Sequence, residues 1–297
     1  MMFLALLILQ HSVISFLPHV KKTFTPSTFH SALSERQAQF WDDVKAGLPN
    51  DPENPSLSRI QQFIDTAMTS PKQIENIPGL TKKPFWDVST PKFPWSSDLE
   101  SAASTIISEY NSVTNSNMFL FDNDSAQASI MGSSWSTIRL QRLGVWNPKT
   151  TALFPETTKL LQSFNIPFAV RGVMFARQNT NSGVAPHNDG RNFILTAHLG
   201  IKVPSCEMSE LNIKVDGIEK EWKTGKILIL DTSFEHSTVN NSGEERVVLL
   251  IDFWHPELTS VEREALQFIY DLRNKFESGE VPLRTEPNFL ERLFAKK

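Results

Sequence analysis

Two histidines and one aspartate in the second half of the chain have the types and spacing of a metal site. His187 and Asp189 are two residues apart, so in an extended chain both side chains project from the same face. His236 ends a strand-like segment further along and could supply a third ligand. Two histidines and one carboxylate on one face of an octahedral ion leave three positions open, as in the facial triad of non-haem Fe(II) oxygenases. The sequence therefore predicts His187, Asp189 and His236 as metal ligands and catalytic residues.

A trailing arginine favours iron together with an oxo acid. Arg246 lies ten residues beyond His236, at the start of the apolar strand RVVLLIDFW. An arginine that faces into a barrel needs an anion, and its planar guanidinium suits the distal carboxylate of 2-oxoglutarate. Two simpler interpretations stay open. HNDG is also a polar turn that needs no metal, and the same ligands serve zinc.

The elements that must position these residues are short β-strands. From residue 135 onward, apolar residues recur with a period of two and turn signals separate the runs. Asp216-Gly217 is a strong two-residue hairpin signal. The predicted fold class is mainly β with flanking helices, a double-stranded β-helix of the jelly-roll, cupin-like type. The predicted strands are WSTIRL, FAVRGVMFA, NFILTAHLG, ELNIKV, KEWKT, KILIL and RVVLLIDFW.

Helical patterns flank the β-rich region. NPSLSRIQQFIDTAM has apolar residues at a period near 3.6, and TSVEREALQFIYDLRNKFE starts with Thr259 or Ser260 as cap and Glu262 in the first turn. These patterns predict four segments along the chain. They are a leader over 1–35, a helical extension over 36–70, a jelly-roll dioxygenase domain over 71–258 and a C-terminal helical segment over 259–297.

Composition and charge exclude several classes of function. The 297 residues are 40% hydrophobic and 21% charged, as in a globular protein with a sizeable core. A net charge of -4 gives no basic footprint, which argues against nucleic acid as a partner. The single cysteine, Cys206, excludes an intramolecular disulfide framework and a multi-cysteine zinc site. A small-molecule substrate is expected, and the oligomeric state is not indicated.

The first residues have the composition of a targeting leader. Residues 1–9 are apolar, too few for a comfortable membrane span but suited to a signal peptide, and residues 21–34 carry no acid, as in transit peptides. This order resembles the bipartite leaders of plastids bounded by extra membranes, so we expect plastid localisation. Plain secretory entry and a retained membrane anchor stay open. No later segment is apolar enough to cross a bilayer, so no span is expected in the mature chain.

From about Ile77 to Leu266 the chain resembles the aspartyl/asparaginyl β-hydroxylase family of Fe(II)/2-oxoglutarate-dependent dioxygenases. The resemblance implies that His187 and His236 bind iron and that Arg246 binds 2-oxoglutarate. It also implies that His198, in the HLG motif, lies in the active site near the oxo acid or the substrate. The phrases that carry the resemblance are IPGLTKKPFW, FPETTKLL, PHNDG, AHLGIKVP, WKTGKILILDTSFEH and NSGEERVVLLIDFWHPELT.

This chain departs from the animal members of that family at two places. They have glycine where this chain has Asp189, whereas the bacterial lipid A hydroxylases keep the carboxylate. The animal enzymes also carry arginines in the strand before HLG that hold an acidic substrate, and this chain has Ile194 and Thr196 there. An anionic side chain would lose a charge-assisted partner worth about 1.5 to 3 kcal/mol. Arg139 or Arg142 could replace the missing anchors.

These departures favour a plastid small molecule as the substrate. One candidate is a tetrapyrrole propionate, because β-hydroxylation followed by loss of water gives the acrylate of chlorophyll c. Hydroxylation of protein Asp or Asn, by family kinship, and hydroxylation of a lipid or fatty acyl chain, from the retained Asp189, remain alternatives. A non-catalytic or zinc-bound cupin-like binding module is the interpretation from a different class. His255, which precedes a proline, is expected to be structural.

Overall fold

The computed structural model describes residues 26–48, 55–69, 75–116 and 134–281. The chain forms two compact units, one of residues 73–263 and one of the residues up to 72 together with those from 264 onward. The predicted leader before Pro26 lies outside the described residues. Within the described part, no helix combines the length and the apolar character that crossing a membrane requires.

The unit formed by the two ends of the chain is helical. Phe40 and Phe276 pack edge to face at 5.5 Å, and Arg36 Nη2 donates to the Phe276 carbonyl at 2.6 Å. The first of these helices begins inside the stretch predicted as leader. The helices of the described residues that contribute to this unit are α1 (Pro26–Gly47), α2 (Pro55–Thr69) and the part of α7 (Ser260–Ser278) from residue 264.

The start of α7 has the capping box that the sequence predicts. The Thr259 amide donates to Glu262 Oε2 at 2.8 Å, and the Glu262 amide donates to Thr259 Oγ1 at 3.2 Å. Two amides without a partner inside the helix are satisfied in this way.

The unit of residues 73–263 contains two antiparallel sheets. Its strands are β1 (Phe85–Trp86), β2 (Trp135–Arg142), β3 (Val145–Trp146), β4 (Phe168–Gln178), β5 (Ser182–His187), β6 (Ile194–Lys202), β7 (Leu211–Val215), β8 (Ile218–Lys220), β9 (Ile227–Leu230), β10 (His236–Asn240) and β11 (Arg246–Trp254). Its other helices are α3 (Ser96–Ser101), α4 (Ala103–Ser116), α5 (Pro148–Thr151) and α6 (Pro155–Ser163).

The strand order is that of a jelly roll, which confirms the predicted fold class. The larger sheet has the order β1-β9-β6-β11-β4-β2-β3, and the smaller sheet has the order β5-β10-β7-β8. From β4 to β11 the chain changes sheet at every connection except β7 to β8. That one connection is a hairpin through Asp216 and Gly217, whose φ angles are 49° and 77°, as the Asp-Gly signal predicts.

The predicted strand KEWKT is wrong. Strand β8 ends at Lys220, and beyond it Thr224 makes only an isolated bridge to Gly200. The backbone of this segment turns instead, with the Lys226 amide on the Lys223 carbonyl at 3.0 Å. Trp222 is nevertheless buried at 3% exposure, in the apolar cluster with residues of the smaller sheet. The apolar residue that suggested a strand is therefore a single buried side chain on a turn.

Alternation along the central strands gives the larger sheet two different faces. Leu195 and Leu199 of β6 pack in one apolar cluster with residues of the helices. Every second residue of these strands points the other way, toward the smaller sheet, where Val248 of β11 packs with Ile213. Thr196 and His198 therefore lie on the inner face. This inner face is where the predicted chemistry must occur.

A glycine inside β4 interrupts that alternation. Gly172 has a φ of 78°, and the register of β4 with β2 and β11 shifts beside it. Val173 packs with the helices and Met174 packs between the sheets, so regular alternation would turn Arg171 toward the helices. The bulge turns it inward instead, where its guanidinium reaches Asp252 of β11.

We expect Gly172→Ala to destabilise the fold more than a matched change at another left-handed glycine. A Cβ at Gly172 would lie 2.1 Å from the Gln141 carbonyl oxygen, whereas Gly144 has a similar φ of 76° and nothing within 4 Å. Both variants carry backbone strain, but only Gly172→Ala adds the clash. Its free energy of unfolding should therefore fall by about 2 kcal/mol more than that of Gly144→Ala. Urea unfolding followed by circular dichroism measures the difference. Equal losses of unfolding free energy in the two variants would contradict the expected clash at the bulge.

Candidate metal centre

Two neighbouring strands of the smaller sheet bring the predicted ligands together. His187 ends β5 and pairs in register with His236, the first residue of β10. Asp189 follows closely and its amide donates to the Thr232 carbonyl at 2.9 Å. One ligand atom from each of His187, Asp189 and His236 lies within 4.8 Å of the others. The three side chains thus form one cluster that could hold a metal ion.

The prediction that His236 ends a strand is wrong, because it begins one. The preceding residues form a turn, in which the Ser233 amide donates to Asp231 Oδ1 at 2.9 Å and the Phe234 amide to the Asp231 carbonyl at 3.3 Å. This turn is an Asx type that competes with strand hydrogen bonds.

Both histidines direct an unprotonated nitrogen to the cluster. His187 Nδ1 lies 2.9 Å from the Ala185 carbonyl and His236 Nδ1 lies 3.0 Å from the Phe234 carbonyl. A carbonyl only accepts, so each Nδ1 carries the hydrogen and each neutral ring keeps a lone pair on Nε2. His187 Nε2 is buried without a hydrogen-bond partner among the described residues. Metal-binding histidines are oriented in this same way by a carbonyl on the second ring nitrogen.

The third ligand is an ionised carboxylate. Burial alone would raise the pKa of Asp189, but the charge of Arg171 and its hydrogen bond to the carboxylate hold the pKa well below its usual range. Burial lowers the pKa of His236, so this imidazole is neutral at physiological pH. A charged carboxylate and a neutral imidazole are the forms that bind a metal.

Arg171 is a site residue that the sequence analysis missed. Its Nη1 donates to Asp189 Oδ2, and its Nη2 donates to Asp252 Oδ1 at 3.0 Å. The same Nη2 lies 3.2 Å from the hydroxyls of Thr196 and Thr232. The available signal was Gly172 within an apolar strand pattern, which marks a bulge and a change of side-chain direction.

Arg246 carries a buried charge on the inner face. It is 3% exposed, and burial lowers its pKa to about 9, so it remains cationic at neutral pH. Its guanidinium carbon lies 4.3 Å from the centre of the Trp222 ring, and Nη2 donates to Gln178 Oε1. Among the described residues no carboxylate oxygen lies within 4.0 Å of it. A buried cation in this setting is suited to an anionic ligand.

Trp222 connects Arg246 to His198. The Trp222 indole nitrogen donates to His198 Nδ1 at 3.1 Å, so the hydrogen of the neutral imidazole is on Nε2 and available to an acceptor. Burial and then the charge of Arg246 lower the pKa of His198 to about 3. His198 is therefore a neutral donor beside a cation, and the pair suits a carboxylate.

His255 and the two predicted substrate anchors, Arg139 and Arg142, lie outside the metal-ligand cluster. His255 is fully buried, with Nε2 3.0 Å from the Thr81 carbonyl, and this contact is structural, as the sequence predicts. Arg139 donates to the Arg171 carbonyl at 3.0 Å, and Arg142 is exposed at the end of β2. The inward guanidinium near Thr196 therefore belongs to Arg171 and not to either of the two predicted anchors.

A family model described as aspartyl/asparaginyl beta-hydroxylase matches residues 100–256. The chain belongs to this family. It is 29% identical over 204 residues to the human aspartyl/asparaginyl beta-hydroxylase. The aligned region covers 67% of this chain and 26% of the human protein. It is 30% identical over 181 residues to the ornithine lipid ester-linked acyl 2-hydroxylase of Rhizobium tropici. The aligned region covers 60% of this chain and 62% of that protein. The chain thus spans about a quarter of the human protein.

Solved structures similar to this family member include oxygenases. A 2OG-Fe(II) oxygenase family protein from Burkholderia pseudomallei has a TM-score of 0.37 at 11% identity, covering 62% of this chain and 98% of that one. HygX from Streptomyces hygroscopicus, solved with nickel, 2-oxoglutarate and hygromycin B, has a TM-score of 0.36 at 12% identity, covering 52% and 79%. The jelly-roll assignment rests on the strand order of this chain itself.

The donor set fits Fe(II) and 2-oxoglutarate. Two imidazoles and a carboxylate give the donor set of a facial triad. The His187 Nε2 without a hydrogen-bond partner is suited to a metal, and buried Arg246 is suited to the distal carboxylate of 2-oxoglutarate. The family model that this chain matches is thus that of a hydroxylase, and the described residues contain a His/Asp/His cluster that could hold a metal ion.

We expect Trp222→Phe to weaken binding of 2-oxoglutarate. Phenylalanine keeps an aromatic ring beside Arg246 but removes the donor that fixes the His198 tautomer. Loss of one hydrogen bond should raise the Kd by about five- to tenfold. Calorimetric titration of the Mn(II)-loaded protein with 2-oxoglutarate measures this without turnover. Trp254→Phe, at a buried tryptophan that stacks on Phe193, is the control and should keep the wild-type Kd. Equal Kd values for both variants would contradict the role of Trp222.

Proposed function

We propose that this chain hydroxylates an unactivated C–H bond of a plastid small molecule, with a tetrapyrrole propionate as the candidate substrate. The observation that carries the chemistry is the His187, Asp189 and His236 cluster on the same inner space as the buried cation of Arg246. Such an arrangement binds a divalent metal beside a dicarboxylate.

Each residue has a distinct part in the proposed reaction. His187, Asp189 and His236 would hold Fe(II), while Arg246 and His198 would bind 2-oxoglutarate. When bound, these groups reduce O2 and supply the oxidant that converts C–H to C–OH, with succinate and CO2 as coproducts. The protein contributes orientation, because the substrate carbon must be held close to the metal.

Among the described residues, the cation that contacts Asp189 is already paired with carboxylates of the protein, which argues against an aspartyl substrate. Ile194 and Thr196 stand where the animal enzymes have arginines, and the Thr196 hydroxyl donates to Asp252 Oδ1 at 2.6 Å. Arg171 is the nearby cation, and its charge is paired with both Asp189 and Asp252. A free aspartyl carboxylate would therefore compete with two carboxylates of the protein for one guanidinium.

A tetrapyrrole would bind in a different way. Most of its affinity would come from burial of a large apolar macrocycle and not from an ion pair at the propionate. Hydroxylation at the β-carbon followed by loss of water would give an acrylate side chain, the change that makes chlorophyll c. The plastid location is part of this proposal and is supported by the apolar and then acid-free composition of the first 34 residues.

A lipid acyl chain is the second candidate substrate. The relative from Rhizobium tropici is named as a hydroxylase of a lipid acyl chain, and this chain covers more of its length than of the human hydroxylase. The carboxylate of Asp189 is also a feature in which this chain resembles the bacterial lipid A hydroxylases. Hydroxylation of protein Asp or Asn is supported by family kinship and opposed by the missing arginines.

A substrate panel separates these candidates. With Fe(II), 2-oxoglutarate and O2, we expect a tetrapyrrole with a free propionate to stimulate succinate formation and to gain one oxygen, or to lose two hydrogens after dehydration, by mass spectrometry. His236→Ala is the control and should be inactive with every substrate because it lacks a metal ligand. Hydroxylation of an acyl lipid alone would establish the second candidate. Hydroxylation of an Asp- or Asn-containing peptide alone would contradict the small-molecule proposal.

A further inference from the structure

Arg171 contacts one oxygen of Asp189 and leaves the other to the histidines. Its Nη1 donates to Asp189 Oδ2, while Oδ1 lies 3.8 Å from the unsatisfied His187 Nε2. A carboxylate that follows a strand end can rotate, and a fixed donor on one oxygen selects a single orientation. The guanidinium thus presents Asp189 to the metal site as a ligand through Oδ1.

The guanidinium is itself fixed from its other side. Asp252 is 1% exposed and lies with Oδ2 2.9 Å from Arg171 Nε and Oδ1 3.0 Å from Nη2. The Thr196 and Thr232 hydroxyls lie 3.2 Å from the same Nη2. Nη1 and Nη2 donate hydrogen bonds and Nε forms an ion pair with Asp252 without hydrogen-bond geometry. The group cannot turn without losing several of these contacts.

We propose that Arg171 is a positioning residue of the metal centre, which holds Asp189 in its ligating orientation and is itself held by Asp252. Arg171 thereby keeps Asp189 as the third ligand beside the two histidines. Its guanidinium orients this ligand and does not anchor an acidic substrate. The proposal rests on the metal-binding role of His187, Asp189 and His236.

A double-mutant cycle on metal affinity tests the proposal without turnover. Co(II) is the probe, titrated anaerobically into apoprotein and followed by its visible absorption. We expect Arg171→Gln and Asp189→Ala each to weaken Co(II) binding by about 10- to 100-fold. The double variant should bind no more weakly than Asp189→Ala alone, because Arg171 acts through Asp189. Arg177→Gln, on the same strand and paired with Ser136 and Glu245, is the control and should keep wild-type affinity.

The variant Arg171→Gln leaves Asp252 buried without its cation and could fail to fold. The pair of changes Arg171→Gln and Asp252→Asn removes both charges together and should fold while losing Co(II) affinity to the same extent. Wild-type affinity in either folded variant would overturn the positioning role. Additive losses in the cycle would also overturn it, since Arg171 would then act apart from Asp189. Absence of Co(II) binding by the wild-type protein would instead contradict the proposed function itself.

Discussion

Arg246 carries its positive charge into the space between two sheets, at 3% exposure, with an aromatic ring and an amide oxygen as its contacts. An uncompensated buried charge costs several kcal/mol, so the fold is stable only because burial elsewhere offsets that cost. The same charge gives the site its affinity, because a dicarboxylate that enters this space neutralises it. Trp222 and His198 are arranged around this cation, and the metal ligands lie on the opposing sheet.

A second cluster of polar and charged groups lies on the same inner face. Asp189 and Asp252 both contact the guanidinium of Arg171, and Asp189 joins His187 and His236 in a cluster that could hold a metal ion. The buried cation of Arg246 and the cluster of possible metal ligands thus both lie near His198. This pairing suits a divalent metal and a dicarboxylate bound side by side, and it leaves Arg171 already paired where an acidic substrate would need a cation.

The fold and much of the site could be predicted from the sequence because both depend on local patterns. Alternation predicts the jelly-roll strands, and the spacing of His187, Asp189 and His236 predicts a cluster that the structure does bring together. Arg171 could not be placed, because a bulge at Gly172 reverses its direction and its partners lie on other strands. The contact of Trp222 with His198 could not be predicted either, because Trp222 lies in a turn that alternation mistakes for a strand.

The central claim is that this space binds Fe(II) and 2-oxoglutarate at the same time. Anaerobic addition of both to the folded protein measures this directly, since chelation of ferrous iron by the keto acid gives a weak visible charge-transfer band. The account predicts that the band appears with both components together and with neither one alone, and that it disappears when His187 is replaced by Ala. Absence of the band in well-folded wild-type protein would contradict the account.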